Sequence, residues 1–235
     1  RFCSKGLIGM PSIVTEFIGQ YGELLGQGVL DTLIMLFIST AIAYVIGTVL
    51  GVVLYLTSPG SLRPMRALNA VLGWVVNIGR SLPFIILLIS LMPVTSALVG
   101  TTSGVRGVIP PLVVSTAPFV ARMIEQSLAE VPRASVEAAE ACGASIPRIV
   151  VSALLPEALP SIVRGVSITL IAVLGYTAIA GAVGAGGLGD VAIRYGYHRY
   201  QADMMLVTVV ILVIIAQLIQ EIFTRSSRRS DKRIR

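Results

Sequence analysis

Apolar residues run through this chain in blocks too long for strands and too continuous for helices that face water. Residues 33–56 and 165–189 hold no charged side chain, and residues 204–220 form a shorter unbroken block. A bilayer core of about 30 Å needs roughly 20 helical residues at about 1.5 Å each, so each block predicts a membrane-spanning helix. Two further blocks are punctuated. Residues 67–91 carry one charge, Arg80, while residues 108–128 open on Pro110-Pro111, meet Pro118 in mid-course and hold Arg122 and Glu125 near their end. Proline costs little in a first turn, and an interior break is tolerated where neighbouring helices satisfy the backbone. The pattern predicts an all-α, polytopic membrane helix bundle with five transmembrane helices and its two termini on opposite sides.

Outside the spans the pattern changes. Ile13, Val14, Phe17, Ile18, Tyr21, Leu24, Leu25 and Val29 recur at steps of three and four. Residues 1–30 are therefore expected to form an amphipathic extension, either lying at the outer interface or continuing the first span. No apolar core of signal-peptide length follows the first basic residues, so this segment is expected to be retained. Residues 31–224 form one transmembrane domain and residues 225–235 a basic tail.

The most polar stretch of the middle of the chain, Glu137 to Pro156, reads EAAEACGASIPRIVVSALLP and lies between the third and fourth spans. Pro132 can open a helix, and Val136, Ala139, Ile146, Ile149 and Val150 share one stripe, which predicts a short helix over residues 134–150 lying across the membrane. Small residues around Ala138, Ala139 and Gly143 admit a close partner, and Gly143 permits a bend. Pro156 and Pro160 are expected to separate this helix from the next span. Its chemistry is docking rather than bond-making.

Composition sharpens the class. The chain is 55% hydrophobic and 13% charged, with a mean hydropathy of +0.88, which leaves too little polar surface to cover a soluble globule. The net charge of +6 is explained by membrane orientation rather than by nucleic acid. One set of flanks holds Arg63, Arg66, Arg122, Arg133, Arg148, Arg164, Arg225, Arg228, Arg229, Lys232, Arg233 and Arg235, and the other Arg1, Lys5, Arg106, Arg194 and Arg199, twelve against five. This places the C-terminus and the 122–164 segment in the cytoplasm and the N-terminus outside. Cys3 and Cys142 then fall on opposite sides, so no disulfide framework or zinc spacing is available.

Gly184, Gly186 and Gly189 satisfy G-x-G-x-x-G, but they follow a spanning helix rather than a strand, and no G-K-[ST] exists to cradle phosphate. Gly184, Gly186, Gly187 and Gly189 are instead expected to end the fourth span at the outer face, as a hinge or a contact for a delivering protein. Gly47 and Gly51 form a G-x-x-x-G suited to a helix contact. Arg80 is costly within a span and marks either a polar path or a helix break, in which it binds orphan carbonyls and Ser81 caps the next half-helix. Asn77, Ser39, Thr116 and Tyr176 are the other polar candidates for the path. His198 stands without metal spacing.

The segments Asn77 to Leu88 (NIGRSLPFIILL), Ala117 to Met123 (APFVARM), Leu154 to Pro160 (LLPEALP) and Ala178 to Tyr197 (AIAGAVGAGGLGDVAIRYGY) resemble the permease subunit of bacterial methionine importers, in the binding-protein-dependent inner-membrane family. The likeness spans roughly residues 30–223. It implies a type I permease of five spans that forms a homodimer, with each copy docked on one ATP-binding cassette ATPase, so that two ATPase copies bind ATP and Mg and this chain carries no cofactor and no catalytic or metal site. It also implies a substrate-binding lipoprotein on the outer face, and methionine, L- and D-, as substrate. The family's coupling-loop positions fall on Glu137, Ala138, Ala139, Gly143, Ile146, Leu155 and Pro156, with Ala153 standing where a branched apolar residue is usual. A permease for another small amphiphilic solute, a self-contained channel or secondary transporter, and a plain membrane anchor are the alternatives.

Overall fold

In a computed structural model the chain is described over residues 10–230, and its side chains over residues 19–227. Residues 1–9, the last part of the basic tail at 231–235, and the Ile13 to Ile18 part of the amphipathic stripe lie outside the described residues or side chains. Within them every regular element is helical. Four helices are long and apolar enough to cross a membrane, and a pair bent by 100° makes a fifth crossing if it is counted as one span.

The first helix, α1 (Met10–Thr57), runs without interruption. The proposed extension thus continues the first span from residue 10 onward. Its stripe at Tyr21, Leu24, Leu25 and Val29 packs with Leu188, Val191 and Met204 rather than against an open interface.

The second span is broken. Helix α2 (Arg66–Ser81) and α3 (Phe84–Ser90) meet at Leu82-Pro83 at the 100° bend. Ser81 does not cap α3: its hydroxyl donates back to the Asn77 carbonyl, and Pro83 occupies the N-cap. A short α4 (Met92–Val99) leads to α5 (Gly104–Ala129), which is continuous through Pro110, Pro111 and Pro118. The expected break at Pro118 is absent. The ring instead seats against Gly79 of α2, where an added Cβ would lie 2.7 Å from Pro118 Cγ.

The polar segment forms α6 (Arg133–Ala141) and α7 (Ile146–Ile149), two short helices in place of one. A π-helical segment, Val150–Leu154, then joins α7 to α8 (Leu155–Gly181). Pro156 and Pro160 therefore do not separate the docking segment from the next span, which is continuous from Ile146 to Gly181. Pro156 has no N–H to close an α-turn behind it, and the backbone widens there, with the Leu155 N–H reaching Val150 O. A tight turn leads to α9 (Gly187–Val191), a π-helical segment Ala192–Tyr197, and α10 (Ala202–Ser230).

Four apolar clusters hold the described bundle together, the smallest being Leu54, Val76 and Ala121 between α1, α2 and α5. At the α6 end Val120, Ile124, Leu128, Ile149, Val150 and Leu154 interlock. Midway, Met35, Leu36, Phe84, Leu112, Leu170 and Val173 join α1, α3, α5 and α8. At the far end the Leu25 and Leu188 cluster closes the molecule. Helices α1 and α5 run side by side in the same direction, because Gly47 meets Ala117 and Val120 while Gly51 meets Ala121 and Ile124. The G-x-x-x-G is thus a contact within the chain, of the close backbone kind that small residues allow in membranes.

Candidate functional site

The segment expected to dock a partner is built by a helix stop. Gly143 takes a left-handed conformation at φ +72°. The Gly143 N–H donates to Glu140 O (2.8 Å) and the Ala144 N–H to Ala139 O (3.2 Å). This pair of bonds is the Schellman arrangement, which satisfies carbonyls that the end of α6 would otherwise orphan. Ser145 and Pro147 then start α7.

The result is an exposed corner. Glu137, Ala138, Glu140 and Gly143 face outward, while Val136, Ala139 and Ile146 pack on the core containing Ile149 and Leu154. Leu155 belongs to that core, and Pro156 is exposed on α8. The sequence motif therefore divides into an exposed outer face and a root packed on the core. An open cavity of about 210 Å³ lies between α6 and the loop after α1, lined by Tyr55, Ser61, Arg133, Val136, Glu137 and Glu140 among others. The corner is rooted on both sides, since α6 follows α5 by a three-residue link and α7 runs directly into α8.

The polar candidates within the spans separate into two groups. Ser39 and Thr116 are 0% and 1% exposed, with unpartnered hydroxyls, so within the protomer they lie in packed interior. Tyr176 is half-buried and stacks on Phe84, with ring centroids 4.8 Å apart, which ties α8 to α3. Asn77 and Arg80 stand together on the exposed last turns of α2. Arg80 donates to no carbonyl among the described residues, and its guanidinium lies 6.0 Å from the Phe119 ring centroid.

Arg122 has a role that counting flanking charges missed. It lies inside α5, paired with Glu125 at 2.6 Å, and its other Nη donates to Asn77 Oδ1 at 2.9 Å. A charge-assisted bridge thus ties α5, the helix leading into α6, to α2 just before its bend. The signal in the sequence was an Arg and a Glu three residues apart inside an otherwise apolar block.

At the opposite end, α8 stops at Gly181, before the glycine cluster. Gly184, Gly186 and Gly187 all have positive φ, near +80°. The Leu188 N–H donates to Thr32 Oγ1 at 2.9 Å, and the Gly104 N–H to Gly184 O at 3.0 Å. A Cβ on Gly187 would strike Thr32, and one on Gly189 would strike the Ala178 carbonyl. These glycines let the turn lie directly on α1 and α8. Beyond them, Arg199 covers the Tyr195 ring at 4.5 Å, and Tyr197 and Tyr200 are exposed.

Comparison with known proteins agrees with this architecture. The chain is 46% identical to the probable D-methionine transport system permease protein MetI of Vibrio cholerae over 220 residues, covering 94% of this chain and 98% of that one. It is 45% identical to the methionine import system permease protein MetP of Bacillus subtilis, over 77% of this chain and 81% of that one. A solved chain of the MetNI methionine ABC transporter in inward-facing conformations superposes with a TM-score of 0.89 at 46% identity, covering 91% of this chain and 99% of that chain. An amino acid ABC transporter solved with histidines shares the fold at a TM-score of 0.74 and 18% identity. Residues 47–235 match the model of the binding-protein-dependent transport system inner membrane component family, and the chain belongs to that family.

Proposed function

We propose that this chain is the permease subunit of an ATP-driven importer, and that two copies enclose a path for methionine of either hand. The observation that carries the reading is the α6–Gly143–α7 corner. It is exposed on its outer face, fixed to a core on its inner face, and continuous with spanning helices on both sides. Such an element transmits displacement in place of absorbing it: a partner that moves α6 must move α5 and α8. The names borne by the relatives supply the substrate class and the ATPase partner.

The complex would hold two copies of this chain, two cytoplasmic ATPases that bind ATP and Mg, and a binding lipoprotein at the glycine-turn end. The α6 end lies in the cytoplasm of the inner membrane, with the N-terminus outside. No bond-making step belongs to this chain. Glu137, Ala138 and Gly143 form the docking face, Ala139, Ile146 and Leu155 its root, and Pro156 stands exposed at the start of α8.

The test is uptake of labelled methionine by proteoliposomes holding the permease, its ATPase and its binding protein. Accumulation that requires both ATP and the binding protein is expected. Uptake unaffected by removing ATP would sink the importer reading in favour of a channel or secondary transporter.

A further inference from the structure

We propose that Arg80 holds the carboxylate of the amino acid in passage, an inference that rests on the importer reading above. The two arginines near the α2–α5 contact are treated differently by the fold. Arg122 is neutralised by Glu125 and bonded to Asn77. Arg80, one turn further along α2, has no ion pair and no hydrogen bond among the described residues, although it is exposed.

Fourteen residues separate Arg80 from the start of α2, a rise of about 21 Å along the helix axis. A cation at that depth is costly unless water or an anion meets it. Glu125, the acidic side chain of the facing helix α5, is already engaged by Arg122. Among the described residues no counter-charge faces Arg80, and the proposal assigns that charge to the ligand.

The surroundings suit a zwitterion. A guanidinium offers a planar fork of donors that matches a carboxylate. The break at Pro83 removes the N–H that would have bonded the Gly79 carbonyl, which leaves an acceptor one residue away for an ammonium group. The Phe119 ring stands beside the guanidinium, and an apolar wall strengthens a charge-assisted bond by excluding water.

The experiment compares wild type with Arg80→Gln and Arg80→Lys in the reconstituted complex, reading methionine taken up per ATP hydrolysed. Loss of a charge-assisted bond should lower this ratio about tenfold or more in Arg80→Gln, while hydrolysis stimulated by the loaded binding protein persists. Arg80→Lys, which retains the charge, should recover most of the ratio. A ratio in Arg80→Gln within about threefold of wild type, or a Lys variant as impaired as Gln, overturns the proposal. Should Arg80→Gln fail to assemble, saturation-transfer NMR on the wild-type complex without binding protein decides, with the ATPase alone as blank. Methionine should give a signal and methioninol, which lacks the carboxylate, should not; equal signals overturn it. Failure of the wild-type complex to take up methionine would instead strike the importer reading itself.

Discussion

Gly47 and Gly51 let α1 lie against α5 at backbone distance. A Cβ built on Gly51 would stand 2.5 Å from the Ala121 carbonyl oxygen and 2.7 Å from Ile124 Cβ, so the helices would have to part. Lipid supplies no hydrophobic force to drive spans together, and this close packing is what holds them. Gly51→Ala is expected to destabilise the detergent-solubilised protein by about 1–3 kcal/mol, as overpacking of a tight core does. Gly26→Ala on the same helix, where nothing lies within 4 Å of a Cβ, should leave the thermal midpoint unchanged or raise it, since Ala favours a helix over Gly by about 0.5–1 kcal/mol. Thermal unfolding of the two variants side by side checks the pair; equal shifts would mean that the α1–α5 approach is not the constraint.

Helices α5, α6, α7 and α8 are joined in series, and on the proposed reading they are the elements that transmit motion. Between α6 and α7 the chain turns at Gly143, held at φ +72° with two backbone bonds. Gly143→Val has free space around its side chain but must adopt a left-handed backbone, at a cost of about 1–2 kcal/mol. The corner should then reorient while the bundle stays folded. The expected result is a complex that still assembles and still hydrolyses ATP, with uptake per ATP reduced at least several-fold. Normal uptake in an assembled Gly143→Val complex would show that the corner does not carry the stroke. The corner was legible in the sequence as a polar, small-residue segment between spans, and so was the wide spacing of the apolar blocks. What the prolines do was not. Pro118 sits inside an intact α5 because Gly79 makes room for its ring, and Pro156 is absorbed by a π-helical widening, whereas Pro83 bends its span by 100°. Local propensity treats the three alike; the neighbouring helix decides, and that contact joins residues far apart in sequence. The Arg122–Asn77 bridge was hidden for the same reason, being 45 residues long in the chain.

At the scale of the molecule the two ends differ in charge and in construction. One carries α6 with Arg133, Arg148 and Arg164 close by in the chain, and the other carries the glycine turn with Arg194 and Arg199. The excess of basic residues on the first end predicts that it faces the cytoplasm, because Lys and Arg flanking a span resist translocation. The importer reading demands the same orientation, since ATP is on that side. Cys142 offers a direct measurement: it caps α6, and its thiol is free and exposed. In a Cys3→Ser background, a membrane-impermeant maleimide should label Cys142 in inverted vesicles and not in right-side-out ones. Assembly with the ATPase should slow that labelling, because the outward face of α6 would then be covered. Labelling from the outer side would place α6 away from ATP and overturn both the orientation and the proposed docking face.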